Sequence, residues 1–337
     1  MSTLRTINVI HPSGSTTNIV NDASGNVTVG NNLTVTGATV PASSFKRNRL
    51  INGNMNVAQR GTTFTDGNGY TLDRWYGNRA GGVAGVTYAQ IYGAFSTTTN
   101  GMYIQRTSGN TSTAAAVLYQ AIEGINSRDL AGKTITVSFQ IGSGSISSTT
   151  GHSVIVYYQT TTTDIGPTSG AWTALTAQSF TVASSSSYTQ KTFQFSIPST
   201  ATQLQLSIQF AFSGTAGADD RFYLTQVQLE QGSAATPYEM QIYSDQLAQC
   251  QRYYEVGYSI FSGYVNGSST YYVSTNYKLS KRAAATLSFS SISGNGFPAT
   301  SPAVGISDLQ QFRADPTSNG SSTAGYYAFY WAATAEL

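Results

Sequence analysis

Charge is scarce in this chain. Asp, Glu, Lys and Arg make up 9% of its 337 residues, against roughly 25% in an ordinary soluble domain. Lys and Arg number 17 and Asp and Glu 15, a formal net charge of +2. That excludes the strong basic field on which non-specific nucleic-acid binding relies. Cysteine is nearly absent: Cys250 stands alone, so no intrachain disulfide framework exists. No apolar run approaches the roughly 18 residues of a membrane helix. The N-terminus, Met-Ser-Thr-Leu-Arg-Thr, lacks the apolar stretch of a signal peptide, so synthesis and folding in a cytosol are expected.

Aromatics and small polar residues take the place of charge. Aromatics reach 12%, with Tyr 22 far ahead of Trp 3, which excludes charge-driven disorder. Ser, Thr, Gly and Asn fill the polar positions, so the surface bonds through hydroxyls and amides. Thr, Val and Tyr favour strands, and Gly and Asn favour turns. The length suggests two domains with some chain to spare.

Residues 1–45 differ from the rest. Val27, Val29, Leu33 and Val35 sit at strand spacing around Gly30-Asn31-Asn32, and Ile7, Val9, Ile19 and Val20 mark two more short strands. So few short strands bury too little to fold alone. They are expected to form an intertwined shaft whose core comes from other copies of the chain, a disordered tail being the alternative. Residues 46–245 carry many short alternating runs, among them 134–141 and 203–212, separated by turn residues. That pattern predicts an antiparallel sandwich or jelly roll. Around 246–254 the alternation stops, and Leu247, Cys250 and Tyr254 at i, i+3 and i+7 predict a linker helix. Strand patterns return in 255–337, a small C-terminal β domain. The expected fold is therefore all-β throughout.

Several ordered motifs then resemble a module of bacteriophage tail fibres and other distal tail proteins. They are Lys46-Arg-Asn-Arg-Leu-Ile-Asn-Gly-Asn-Met-Asn-Val-Ala-Gln-Arg60, Tyr70-Thr-Leu-Asp-Arg-Trp75 and Gln120-Ala-Ile-Glu-Gly124. Further on come Phe222-Tyr-Leu-Thr-Gln-Val-Gln-Leu-Glu-Gln-Gly232, Ala235-Thr-Pro-Tyr-Glu239 and Cys250-Gln-Arg-Tyr-Tyr254. The resemblance covers roughly residues 46–254. It implies a jelly roll similar to carbohydrate-binding modules, carried on a trimeric fibre. Related jelly rolls often hold a structural calcium through an acidic residue in the final strand. Here that strand reads Leu224-Thr225-Gln226-Val227, and only Asp66 and Asp73 lie in the opening motif, so no metal and no cofactor are expected.

Catalytic signatures are sparse. Glycoside hydrolysis needs two facing carboxyls, whereas Glu123, Asp129, Asp164, Asp219, Glu230 and Glu239 are scattered. Asp219-Asp220 reads as a solvated turn. His11 and His152 lie in different predicted domains, away from any zinc or triad pattern. Gly81-Gly82-Val83-Ala84-Gly85 lacks the Lys-Ser/Thr ending of a phosphate loop. Cys250 reads as a small buried apolar residue, and Trp75 as core.

The tyrosine excess carries the most chemistry. Sugars lay C–H groups on aromatic faces and bond their hydroxyls to amides and hydroxyls, and tyrosine offers both at low entropy cost. Two clusters stand out as glycan-contact candidates: Tyr157 with Trp172 in the jelly roll, and Tyr271, Tyr272, Tyr326, Tyr327 and Trp331 in the C-terminal domain. Tyr258 and Phe289 are expected in the core there. The expected protein is a non-enzymatic tail fibre or receptor-binding protein of the virion, attaching it to host cell-surface polysaccharide. It would be a homotrimer joined through its N-terminus to phage tail or baseplate proteins, without nucleic-acid binding or membrane insertion. A ligand-free structural tail component and a polysaccharide depolymerase are the rival readings.

Overall fold

The computed structural model describes residues 8–10, 17–21, 27–29 and 46–337, the last apart from 67, 80–84, 94–99, 146–147, 184 and 321–322. Residues 1–45 and 46–337 form separate compact units. In the first, β1 (Asn8–Ile10), β2 (Thr17–Asn21) and β3 (Val27–Val29) form an antiparallel meander in the order β1-β2-β3. Val27 and Val29 thus lie on a strand that pairs with β2 of the same chain. Leu33 and Val35 of the expected shaft core lie outside the described residues.

The second unit opens with a jelly-roll sandwich. Its strands are β4 (Thr63–Thr65), β5 (Gly69–Tyr70), β6 (Tyr76–Arg79), β7 (Val86–Tyr92), β8 (Asn100–Arg106), β9 (Ala116–Ile122), β10 (Thr134–Ser143), β11 (His152–Gln159), β12 (Thr173–Ala174), β13 (Gln178–Phe180), β14 (Ser185–Ser196), β15 (Gln203–Phe210) and β16 (Arg221–Gln231). One sheet runs β14-β10-β16-β8-β7-β4; the other runs β12-β11-β15-β9-β6-β5, with β13 beside β11. Every pairing is antiparallel, and neighbours such as β16 and β8 are distant in sequence. Alternation explains the layers. Met102, Ile104, Phe222, Leu224, Val137 and Phe139 point inward from the first sheet to meet Leu204, Leu206, Ile208, Val154 and Val156 from the second.

The ordered motifs of the opening segment and of β16 hold this sandwich together. Asn48 donates to Val227 O and accepts from the backbone N–H groups of Leu50 and Leu229, tying the opening segment to β16. Asn52 clamps Val57 and Asp73, and its carbonyl accepts from the Trp75 indole. Gln120 pairs reciprocally with the Ile51 backbone. Glu239 accepts from Asn48 N at 2.7 Å, and Glu230 binds Thr236. Buried amides and carboxylates satisfied in this way fix where irregular segments cross the sheets.

After the sandwich, α1 (Tyr243–Gln251) leads into β17 (Tyr254–Val265). Tyr254 therefore belongs to a strand and not to the expected helix face, because its backbone pairs with Thr334. Cys250 is fully buried, and burial raises its thiol pKa well above the ordinary value. The remaining strands are β18 (Val273–Asn276), β19 (Thr286–Asn295), β20 (Ala303–Ser307), β21 (Gln311–Asp315) and β22 (Thr323–Thr334). They form two sheets, β17-β22-β19 and β18-β21-β20, around a core of their own that includes Phe312, Tyr327, Phe329 and Trp331.

This C-terminal part is bolted to the sandwich. Glu336 bridges Arg60 and Arg74, whose guanidinium groups each stack 3.6 Å from a ring centroid, on Tyr254 and Tyr253 respectively. Arg252 reaches Glu123 at 3.3 Å, and Gln59 donates to Tyr254 O. Lys281 and Glu255 form a second buried pair at the base of β17. Among the described residues no helix is long and apolar enough to cross a membrane.

Candidate functional site

The outer face of the six-stranded sheet carries a tyrosine row. Inward Met102 and Ile104 leave Tyr103 facing out on β8, and inward Phe222 and Leu224 leave Tyr223 facing out on β16. These two tyrosines are direct cross-strand partners. On the other side of Tyr223 the partner is Gly142 of β10, which contributes no side chain. Tyr188 comes from edge strand β14, where the register with β10 shifts. Its hydroxyl lies 3.4 Å from where a Cβ on Gly101 of β8 would stand. Three strand spacings of about 4.8 Å separate β14 from β8, more than a tyrosine side chain reaches. At the register shift residues 186–188 of β14 stand opposite Gly142 alone, so the chain there folds over the outer face and walls one side of a groove. Gly101 has to be glycine, because a Cβ there would sit 2.8 Å from Leu224 O.

One step along the strands the floor changes from rings to amides. Gln140 pairs across to Gln190 on one side and Thr225 on the other. Next to Thr225, Gln226 adopts a left-handed backbone with φ 53°. It supplies the extra residue of a β-bulge, since Ser138 and Gln140 pair with Gln228 and Thr225, leaving two residues of β16 opposite one of β10. The bulge brings Gln226 into a recess of about 230 Å³ that it lines with Gln140, Gln190 and Thr236, closed by Pro237 and Tyr238. At the other end, Arg221 sits 5.6 Å over the Tyr103 ring and is paired with Asp219 at 2.5 Å.

The electrostatics suit neutral ligands. Burial and the neighbouring Tyr223 push the Tyr188 pKa up to about 12, and burial raises that of Tyr223. Both phenols therefore stay protonated as neutral donors. Among the described residues no charged side chain stands between the tyrosine row and the glutamine row, and Arg221 at the far end is matched by Asp219. Such a surface can stack a sugar ring and bond its hydroxyls without desolvating an ion.

The residues singled out from sequence are distributed differently. Tyr157 is half-buried on the outer face of the other sheet, level with buried Gln205. Trp172 immediately precedes β12, the partner of Tyr157 and Tyr158, and its indole donates to Gly166 O at 3.0 Å. Tyr271 packs against Phe261 and Phe297 and accepts from Asn266 N, which makes it structural. Tyr272 is 62% exposed and Tyr326 40%. Tyr327 and Trp331 are only 1% and 5% exposed, so little of either ring is open to a ligand. Tyr327 donates to Thr300 O and Trp331 to Ser259 Oγ. Tyr258, expected in the core, is instead 52% exposed. It stands directly across from Tyr330 on the face opposite Phe329 and Trp331. Phe289 packs against the C-terminal core, as expected.

The acidic residues serve the fold. Asp129 pairs with Arg49, Asp164 accepts from Gly124 N, and Glu123 meets Arg252. Asp220 corrects the solvated-turn reading: it is fully buried and takes Arg106 Nε at 2.7 Å, while Arg106 also donates to Ser112, Ser213 and Gly214 carbonyls. Asp73 accepts twice from Gln59. His152 is buried, with Nδ1 accepting from Ala211 N. His11 and residues 81–84 of the glycine-rich loop lie outside the described residues. Among the described residues no three His, Cys, Asp or Glu side chains converge as a metal site would require.

No family description matches this sequence, and no curated protein matches it. Solved structures with similarity include the enzymatically active domain of bacteriophage CBA120 tailspike protein 4, at 12% identity and TM-score 0.36 over 55% of this chain and 22% of that one. A putative sugar-binding protein from Bacteroides thetaiotaomicron gives 14% identity and TM-score 0.38 over 55% of this chain and all of that one. TmCBM61, in complex with β-1,4-galactotriose, gives 10% identity and TM-score 0.33 over 55% of this chain and 99% of that one. The match thus spans about a fifth of the tailspike chain, and scores this low carry no inference about ligand or activity.

Proposed function

We propose that this chain is a glycan-binding attachment protein of a bacteriophage tail, and that the groove on the six-stranded sheet is where the jelly roll takes host polysaccharide. The observation that carries this reading is the pairing of a tyrosine row, Tyr188, Tyr223 and Tyr103, with a row of amides one step away, Gln140, Gln190 and Gln226. A groove whose charges are confined to the matched Arg221–Asp219 pair at one end suits an extended chain of neutral sugars, with rings on the tyrosines and hydroxyls on the glutamines.

The same reading makes the protein non-enzymatic, because the carboxylates considered for hydrolysis are occupied in ion pairs or backbone bonds. It places the protein on the virion as a homotrimer, with residues 1–45 toward the tail or baseplate, so that three weak grooves act together by avidity. A glycan array probed with the full chain tests it. Wild type should select polysaccharide fragments, and Tyr223→Ala and Gln140→Ala should each lose that signal with an unchanged melting temperature. Equal signals from wild type and both variants would sink the groove as the site.

A further inference from the structure

A second constellation lies on the C-terminal domain, on the outer face of the sheet β18-β21-β20. Phe312 and Ala314 of β21 are fully buried, so Arg313 and Asp315 face outward. They form a two-pronged pair, Arg313 Nε to Asp315 Oδ1 at 2.7 Å and Nη2 to Oδ2 at 2.8 Å. The Arg313 guanidinium lies 4.5 Å from the ring centroid of Tyr272, the most exposed aromatic among the candidates read from sequence. On the neighbouring strand, Gly305 sits at a register shift between Val304 and Ile306. A Cβ on Gly305 would stand 2.1 Å from Asp315 Oδ2 and 2.4 Å from Arg313 Nη2. Any other residue there would push the ion pair aside; with glycine the Arg313 and Asp315 side chains keep their pairing, 31% and 14% exposed. Among the described residues the other ion pair internal to this domain, Lys281 with Glu255, is fully buried.

Beside the pair is a recess of about 170 Å³, lined by Asp315, Thr300, Thr317, Pro302, Pro316 and Tyr327. It is below the roughly 300–1,000 Å³ of sites for drug-sized ligands, a size for one ring and not for a chain of them. Its chemistry is a carboxylate wall, two threonines and apolar proline faces. Asp315 keeps free lone pairs and Arg313 keeps N–H donors beyond the two in use. Together they offer acceptor and donor side by side, which matches adjacent hydroxyls on a pyranose; Tyr272, outside the recess lining and stacked on Arg313, leaves 62% of its surface in solvent for a C–H face.

We infer that Tyr272, Arg313 and Asp315 form a second carbohydrate site, specific for a single neutral pyranose residue and separate from the groove. Neutrality follows from the charges. Arg313 is already matched by Asp315, so an acidic sugar finds no uncompensated cation and meets a carboxylate instead. The inference goes beyond the groove reading and stands or falls without it.

Saturation-transfer NMR on the full chain tests it, with the methyl pyranosides of glucose, galactose, mannose and N-acetylglucosamine as neutral probes and methyl glucuronide as the acidic one. At least one neutral pyranoside should receive saturation, and Tyr272→Ala and Asp315→Asn should each cut that signal at least fivefold. Tyr258→Ala, an exposed tyrosine outside both sites, should leave it unchanged, and the glucuronide should give less than the neutral sugars. If Asp315→Asn unfolds the domain, Tyr272→Ala decides, because that ring is largely in solvent. A signal absent for every neutral sugar, indifferent to Tyr272, or stronger for the glucuronide would overturn the inference.

Discussion

Substituting Glu336 should undock the C-terminal domain from the sandwich. The Arg74 and Glu336 side chains are 2% and 4% exposed, and Arg60, also bound to Glu336, is 11% exposed. Burial alone would lower the Arg74 pKa; Glu336 reverses this and raises it, so Arg74 keeps its charge. Removing one partner of a buried pair costs about 3–5 kcal/mol, because the other charge stays behind unpaired. Arg74 keeps its bond to Ala121 O at 2.7 Å and its stacking on Tyr253. The loss should therefore fall near the lower end, about 3 kcal/mol. For a unit of this size that is a fall of roughly 6–10 °C in melting temperature. Glu336→Ala and Glu336→Gln should both show it in thermal and urea unfolding, since the amide keeps the shape and loses the charge. Replacing both partners, Arg74→Met with Glu336→Met, should recover a large part, giving a coupling of at least about 2 kcal/mol in a double-mutant cycle. Single variants within about 0.5 kcal/mol of wild type would refute the argument that this contact locks the two parts together. The same contact argues against testing function by cutting the chain after Tyr254, because the cut leaves Arg60 and Arg74 without Glu336.

Other outcomes follow from particular groups. Burial holds the His152 pKa at about 4, below the usual 6.5. The unfolded chain then binds a proton more readily than the folded one between those values, so stability falls as pH drops through that window, by about 3 kcal/mol in full. His152→Asn should flatten that part of the pH profile measured by urea unfolding; an unchanged profile contradicts it. Adsorption to host cells should change less than about threefold between 50 and 200 mM salt, where a binder of phosphates would lose several orders of magnitude. A steep salt slope would contradict a site without net charge. Sedimentation of the full chain should give three copies, and a stable monomer would contradict the trimer.

Much of the fold is legible in the sequence because period-two alternation survives wherever one face of a strand is buried. The runs at 134–141 and 203–212 correspond to β10 and β15 for that reason. Alternation alone does not say which parity faces in. Tyr258 and Trp331 come from equally apolar runs, yet they lie on opposite faces of one sheet, and only cross-strand pairing with Tyr330 and Gly257 decides which. The groove tyrosines were hidden in the same way, since Tyr103 and Tyr223 sit between Met102 and Ile104 and between Phe222 and Leu224. Reading parity outward from those buried neighbours would have exposed both. Tyr188 had no such signal, because its position depends on the curl of the β14 edge. Asp219 and Asp220 look alike in sequence, and only Arg106, 114 residues earlier in the chain, separates the buried one from the exposed one.

The central claim is that host polysaccharide occupies the six-stranded face of the jelly roll. Hydrogen–deuterium exchange of the full chain, with and without saturating host polysaccharide, tests it most directly. The account predicts slower exchange in residues 100–106, 140–143 and 221–226, with residues 203–210 on the opposite sheet unaffected. Exchange in those groove segments that is the same with polysaccharide as without it would contradict the account.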